Sequence, residues 1–261
     1  FYDVGFSYFD KSYKHYVYED KYDSRYVHPR INELQQLYSF KTGGTDNQHF
    51  SRQTKTALLK FDFTSQINKR HLTKFGLEGR KHNVNLDDIT LRPLGGDELN
   101  LATDSPYMQS YIPDISSPYH SSYEHNPVEL SAYLQDKMEF SDIIVNIGFR
   151  VDYFQPDGVV LTDPSDPDVY NPIRPENRYQ DLNGNGLEDP GEAFTLEQRQ
   201  AFWYKKAKSK TKASPRLGVS FPVTETGVVH FSYGHFFQIP NFDFLYRNPQ
   251  FKLGTGTDQN Q

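Results

Sequence analysis

Within Ile143 to Tyr153, from Val145 onward, apolar and polar residues alternate without a break. Val145, Ile147, Phe149, Val151 and Tyr153 fall on one side, and Asn146, Gly148, Arg150 and Asp152 on the other. Successive side chains of a strand point to opposite faces, so this stretch predicts a strand with one apolar and one wet wall. The pattern recurs. Tyr2, Val4, Phe6 and Tyr8 alternate with Asp3, Gly5 and Ser7, and Ala57, Leu59, Phe61 and Phe63 with Lys60, Asp62 and Thr64. Phe75 and Leu77 alternate with Lys74, Gly76, Glu78 and Arg80. Leu130, Ala132 and Leu134 do so with Ser131, Tyr133 and Gln135, until Asp136 breaks the apolar side. Leu217, Val219 and Phe221, then Val229, Phe231 and Tyr233, complete the set. Seven strands are expected, near 1–18, 53–66, 71–86, 127–140, 142–155, 211–222 and 227–238.

The connections set the class. Short turns are expected at Asn68 to Arg70, at Ser141–Asp142 and at Thr224 to Gly227. Between these hairpins lie long polar segments, 19–52, 87–126 and 156–210. Long structureless loops are uncommon in compact soluble domains. A membrane barrel has this asymmetry by construction, with short turns on one side and long loops on the other. The expected fold is all-β: about seven strands of a larger antiparallel transmembrane β-barrel, with long extracellular loops. Residues 1–261 would all belong to that one barrel domain. A soluble sandwich with three large insertions is the competing reading, but its insertions need not share one end.

Composition narrows this further. The hydrophobic fraction is 36%, and mean hydropathy is −0.77. No window holds the roughly 18 consecutive apolar residues of a membrane helix, whereas a barrel strand needs only every second residue apolar. Aromatic residues make up 15%, with 19 Tyr and 20 Phe, a supply suited to interfacial girdles. Net charge is −6, which argues against a general nucleic-acid surface. The absence of Cys removes disulfides, thiolate metal sites and thiol nucleophiles. The chain opens at Phe1 inside a strand pattern and stops at Gln261 in a polar stretch, and is expected to be a piece of a longer protein.

Two stretches carry a family resemblance. One is PVELSAYLQDKMEF from Pro127 to Phe140, followed by IIVNIGFRVDY from Ile143 to Tyr153. The other is SPRLGVSFP from Ser214 to Pro222, followed by GVVHFSYGHFFQIP from Gly227 to Pro240. Both resemble barrel hairpins of TonB-dependent receptors, closest to the type with a carboxypeptidase-like regulatory domain. The resemblance implies residence in the outer membrane of a Gram-negative cell and active uptake rather than catalysis. It implies a barrel of about 22 strands around a plug, of which this chain supplies about a third. It further implies outer-membrane lipid, the receptor's own plug and TonB as partners, the last reached through an N-terminal part outside this sequence. A surface lipoprotein and a small or oligomeric ligand belong to the same list. Iron chelates, cobalamin, oligosaccharides and peptides all fit as cargo.

One motif is sharp. Asp181 to Glu192, reading DLNGNGLEDPGE, matches the twelve-residue calcium loop D-x-N-x-N-G-x5-E. Ca²⁺ takes six to eight oxygens, from loop positions 1, 3, 5, 9 and 12 and the carbonyl at 7, with Gly at 6 for the bend. Those positions are Asp181, Asn183, Asn185, Asp189 and Glu192, with the Leu187 carbonyl and Gly186. Three carboxylates among six ligands predict modest affinity. The flanks do not read as two EF-hand helices, although 193–204 suits one short helix, so an isolated structural calcium loop within 156–210 is expected. The competing reading is a plain polar turn, since Asn-Gly pairs form turns readily.

Other chemistry is weak. His230 and His235 fall on opposite faces, and His120 and His125 sit in a Tyr-rich loop without helical ligand spacing. No G-x-S-x-G elbow or phosphate-binding glycine pattern occurs, and Asp87–Asp88 reads as an ordinary carboxylate pair. The loop with Tyr107, Tyr111, Tyr119 and Tyr123 suits ligand capture or packing between loops. No enzyme is expected. Two alternatives stay open: a passive structural or adhesive barrel, and a soluble calcium-binding β-sandwich.

Overall fold

The computed structural model describes residues 1–33, 44–100, 103–224, 226–248 and 251–252. Parts of the expected first long segment (34–43) and of the last turn (Glu225) lie outside these. The long strands are β1 (Tyr2–His15), β2 (Gln48–Gln66), β3 (His71–Thr90), β7 (Val128–Glu139), β8 (Ile144–Gln155), β11 (Lys210–Thr224) and β12 (Gly227–Gly234). They form one antiparallel sheet in chain order, with β6 (His120–His125) also paired to β3. Short pairs lie off the sheet: β4 (Arg92–Pro93) with β5 (Ser110–Tyr111), and β9 (Val159–Leu161) with β10 (Tyr204–Lys206). Helices are few and short: α1 (Arg30–Glu33), α2 (Pro175–Arg178), α3 (Leu196–Trp203) and α4 (Phe242–Leu245). The sheet is open, with β1 and β12 at its edges.

Register confirms the two walls. Tyr2, Phe63, Phe75, Leu134, Phe149 and Pro215 stand in one row across six strands. Val4, Phe61, Leu77, Ala132, Val151 and Ala213 make the next. Much of this face is open: Phe149 is 50% exposed and Phe6, one row further on, 71%, while Phe61 and Phe75 meet edge to face at 6.5 Å. On the same face the band stops at the row Tyr8, Ala57, Lys81, Val128 and Gln155. Beyond it stand Asp10 and Gln53, hydrogen-bonded at 2.9 Å, and Asn83 and Glu124 at 2.7 Å. On β7 the apolar run stops at Asp136, which takes His71 Nδ1 at 2.7 Å and the Thr73 hydroxyl at 3.3 Å. On β8, β11 and β12 the band runs on past that row, through Val145, Val219 and Phe231.

Several boundaries differ from expectation. β2 starts at Gln48 and β3 runs to Thr90, giving 19 and 20 residues, about twice the 9–11 that cross a bilayer. β6 lies inside the expected loop 87–126 and prolongs β7. Its register with β3 (Val84↔His125) continues into Lys81↔Val128 without a shift. At the joint Pro127 accepts from His82 N–H at 3.0 Å and has no N–H to return, so the rung is half made. β1 ends at His15, short of 18. β12 ends at Gly234 rather than 238. There His235 N–H donates to the Pro215 carbonyl at 3.1 Å, and Pro215 again returns nothing, so the ladder stops.

The conventional hydrophobic core lies at the long-loop end. Tyr26, Ile89, Leu91 and Met108 are fully enclosed there, with Tyr18 and Ile112 packed against them.

On the polar face Gly76 sits between Asp62 and Tyr133, whose hydroxyl crosses it to reach Asp62 Oδ1 at 2.7 Å. A Cβ at 76 would collide with the Tyr133 ring and the Asp62 carboxylate. Gly76→Ala is expected to cost about 1–3 kcal/mol through overpacking. Adding Tyr133→Ala should restore part of it, since the two sites share one contact. Urea unfolding of the full-length protein in lipid vesicles checks both; additive losses would refute the contact.

Candidate functional sites: the charged wall and the acidic loop

The polar face carries a set of charges because every second residue of four neighbouring strands, β2, β3, β7 and β8, points there. Lys60 pairs with Asp62 at 2.6 Å and Arg150 with Asp152 at 2.8 Å. Arg80 stands 2.9 Å from Glu78 and 3.5 Å from Glu129, and Glu129 lies 3.2 Å from His82 Nε2. Together with Phe237 and Ile239 these strands enclose a cavity of about 260 Å³ lined by Glu78, Arg80, Glu129, Arg150 and Asp152. The segment after β12 lies across this face. Phe242 meets His82 edge-on at 5.0 Å, Asp243 pairs with Arg52, and Tyr246 stacks on His125 at 4.2 Å. This covering segment was missed in the sequence: the strand expected over 227–238 takes in Phe237, and the residues after it carry no period that would mark a return across the wall.

The acidic loop has a closed neck. Tyr179 and Ala193 form an antiparallel bridge, and Gln180 N–H reaches the Glu192 carbonyl at 3.0 Å. Inside it, Asp181 Oδ1 accepts from Gly184 N–H at 2.6 Å, and Oδ2 from Gly186 N–H at 2.8 Å. These backbone donors, Gly186 foremost, hold the Asp181 carboxyl below its ordinary value. Asn183 and Asn185 accept from Asn185 N–H at 3.0 Å and Leu187 N–H at 2.7 Å. Their amide NH₂ groups donate to Asp189 Oδ2 at 2.6 and 2.8 Å. Glu192, 7% exposed, accepts from Leu182 N–H and Asp189 N–H, both at 3.0 Å. Gly184 and Gly186 both take φ of +74°, which side chains rarely adopt.

The fold thus gathers Asp181, Asn183, Asn185, Asp189 and Glu192 on one turn, and satisfies their oxygens with the loop's own N–H groups. Leu187 is exposed, so only its carbonyl is of use to an ion. Among the described residues no three acidic or histidine side chains stand at metal-holding spacing. Oxygens from Asn183 and Asn185 would have to complete a cation shell. The expected short helix is α3, capped by Thr195 and Gln198 in a reciprocal box at 3.2 and 2.8 Å. Its Trp203 docks on the Pro167 carbonyl at 3.3 Å. The anchor of this region, Asp166, was missed in the sequence. It is 1% exposed and accepts from Ile173 N–H, Arg174 N–H and the Asn177 amide at 2.9–3.1 Å.

The histidines are absorbed structurally. His120 Nδ1 lies 2.8 Å from the Pro113 carbonyl and Nε2 3.3 Å from Asp87, while His235 meets the Tyr233 hydroxyl at 2.7 Å. The tyrosine loop packs in part: Tyr119 lies under Arg92 at 4.4 Å, and Tyr107 bridges Val27. Tyr111 stays exposed.

A family model described as "TonB dependent receptor-like, beta-barrel" matches residues 2–260. No curated protein and no solved structure matches the chain.

Proposed function

Since the chain belongs to the TonB-dependent receptor-like β-barrel family, an outer-membrane family of transport receptors, we propose that it supplies wall strands to a receptor for active uptake of a scarce ligand. The observation that carries this reading is the pair of opposed faces: a band of exposed apolar side chains on one, a network of charges on the other. Lipid solvates the first face, and a plug and passing cargo meet the second. Iron chelates, cobalamin, oligosaccharides and peptides remain the candidate cargo classes. Open strand edges are not tolerated in lipid, so further strands close the wall beyond β1 and β12. TonB and the plug are the partners that the family supports; a surface lipoprotein is a further one.

The long segments face the cell exterior in this reading, and the hairpin turns the periplasm. Protease added to intact cells is expected to cut within 19–52, 87–126 or 156–210 and to spare the turn near Thr224. Cutting at that turn with the long segments protected would reverse the orientation. Loss of uptake on removal of TonB, for whatever nutrient the receptor serves, separates a transporter from a passive or adhesive barrel.

The loop 181–192 is a structural calcium site in the same reading. Support comes from the ligand order and the bend at Gly186, with the carboxylates Asp181, Asp189 and Glu192 in one loop though not at metal-holding spacing in this structure. The ion would neutralise those carboxylates and fix the segment 156–210 outside the membrane, where calcium is plentiful.

A further inference from the structure

At the long-loop end of the charged wall, His125, Phe154 and Lys210 share the inward face and border a cavity of about 540 Å³. That size suits a small organic ligand. The floor is apolar, built by Phe154, Val159, Val160, Tyr246 and Phe251. The rim is cationic: Lys205, Lys206, Lys208, Lys210 and Arg247 line it, and among the described residues no Asp or Glu does. This concentration stands out in a chain of net charge −6. Among the described residues none of the five has an ion-pair partner, whereas the charges lower on the wall are paired. Asp157, between Pro156 and Gly158, keeps its negative charge while accepting from Asn126 N–H at 2.6 Å, and among the described residues it forms no ion pair with any of the five. Burial holds the His125 imidazole below its ordinary value, so the positive charge comes from lysine and arginine.

A second observation is independent of charge. Among the described residues three non-glycine positions take left-handed backbone: Asp157 (φ 49°), Asn248 (φ 48°) and Phe251 (φ 52°). Asn248 and Phe251 line this cavity, and Asp157 lies between two residues that do. Asp and Asn enter this region comparatively readily, but an aromatic residue such as Phe251 holds it only where surrounding structure enforces it, and such positions cluster at ligand clamps.

From the apolar floor, the unpaired cationic rim and the strained backbone around them, we infer that this cavity is a capture site for a small anionic amphiphile, a compact apolar body bearing a carboxylate, sulfonate or phosphate. The inference rests on the receptor reading, because only there does the charged face line the lumen. A membrane lipid is not the occupant, since the cavity opens opposite the lipid-facing band.

The test uses the full-length receptor in nanodiscs, with empty nanodiscs subtracted, and two fluorescent probes that share an aryl body. One is anilinonaphthalene sulfonate; the other is neutral N-phenylnaphthylamine. Replacing Lys205, Lys206, Lys208 and Arg247 by Gln is expected to weaken the sulfonate at least about tenfold and to leave the neutral probe unchanged. Wild-type protein should show the same split when salt rises from about 50 to about 500 mM, which shortens the screening length about threefold. Sulfonate binding that ignores both the substitutions and salt would overturn the inference, as would equal weakening of both probes. Those outcomes leave TonB-dependent uptake intact, whereas loss of that dependence with the charge effect retained would refute the transport reading alone.

Discussion

Phe149→Arg is expected to destabilise the barrel by about 2–4 kcal/mol, the cost of a charged side chain at the lipid midplane. Phe149 lies midway along the apolar run of β8, between Leu134 and Pro215 in neighbouring strands, and is half exposed on the apolar face. The same substitution at Asn146, on the opposite face, should cost little, because an Arg there joins a wall that already holds Arg150 and Arg216. Unfolding of the full-length receptor in lipid vesicles measures both. Spin labels at 147 and 149 should collide with lipid-soluble oxygen, and labels at 146 and 150 with a water-soluble reagent. Equal losses for the two Arg variants, or water at 147 and 149, would contradict the assignment of the faces.

The second large effect is expected at Glu192. Its two oxygens hold Leu182 N–H and Asp189 N–H, and hydrogen bonds to a charged group contribute about 1.5–3 kcal/mol. Glu192→Ala should open the loop with or without calcium. Glu192→Gln keeps one acceptor oxygen and loses the charge, so it should weaken calcium about tenfold or more, about 1.4 kcal/mol, while preserving most of the turn. Leu187→Ala should change little, since only a carbonyl is used. Hydrogen exchange across 156–210, in chelator and in millimolar calcium, distinguishes these cases; identical protection in both would establish a plain turn. Acid supplies a further check. The folded-state carboxyl of Asp181 lies below its ordinary value of 3.8, so its contribution is complete above that value and is lost as pH falls through the lowered one.

What the sequence reveals depends on whether a contrast exists between faces. From Val145 to Tyr153 one face meets lipid and the other water, and the alternation is unmistakable. Past the apolar band both faces are wet. Residues such as Gln48, Ser51, Asn83, Asn85 and Asp87 then give no period, although the backbone ladder continues through them. For that reason β2 and β3 are longer than expected, and β6, reading HSSYEH, is hidden in an apparent loop. The acidic loop is legible because its ligands are contiguous. The cationic cavity is not, because it is assembled from separated stretches: His125, Phe154 to Val160, Lys205 to Lys210, and Leu245 to Asn248 with Phe251. Asp166 is equally opaque: a carboxylate in DPSDPD looks like any turn residue until three donors converge on it.

The placement of the enclosed cluster around Tyr26, Ile89, Leu91 and Met108 bears on how the receptor is assembled. On the proposed orientation that cluster ends up outside the cell, whereas the chain is delivered from within. A packed knot of long loops is far wider than a strand pair and cannot follow a hairpin through a bilayer. The cluster must therefore form last, after its segments have crossed as open chain. Its folding then acts as a ratchet: once Tyr26 and Met108 close over Ile89, withdrawal through the membrane requires unfolding the knot first.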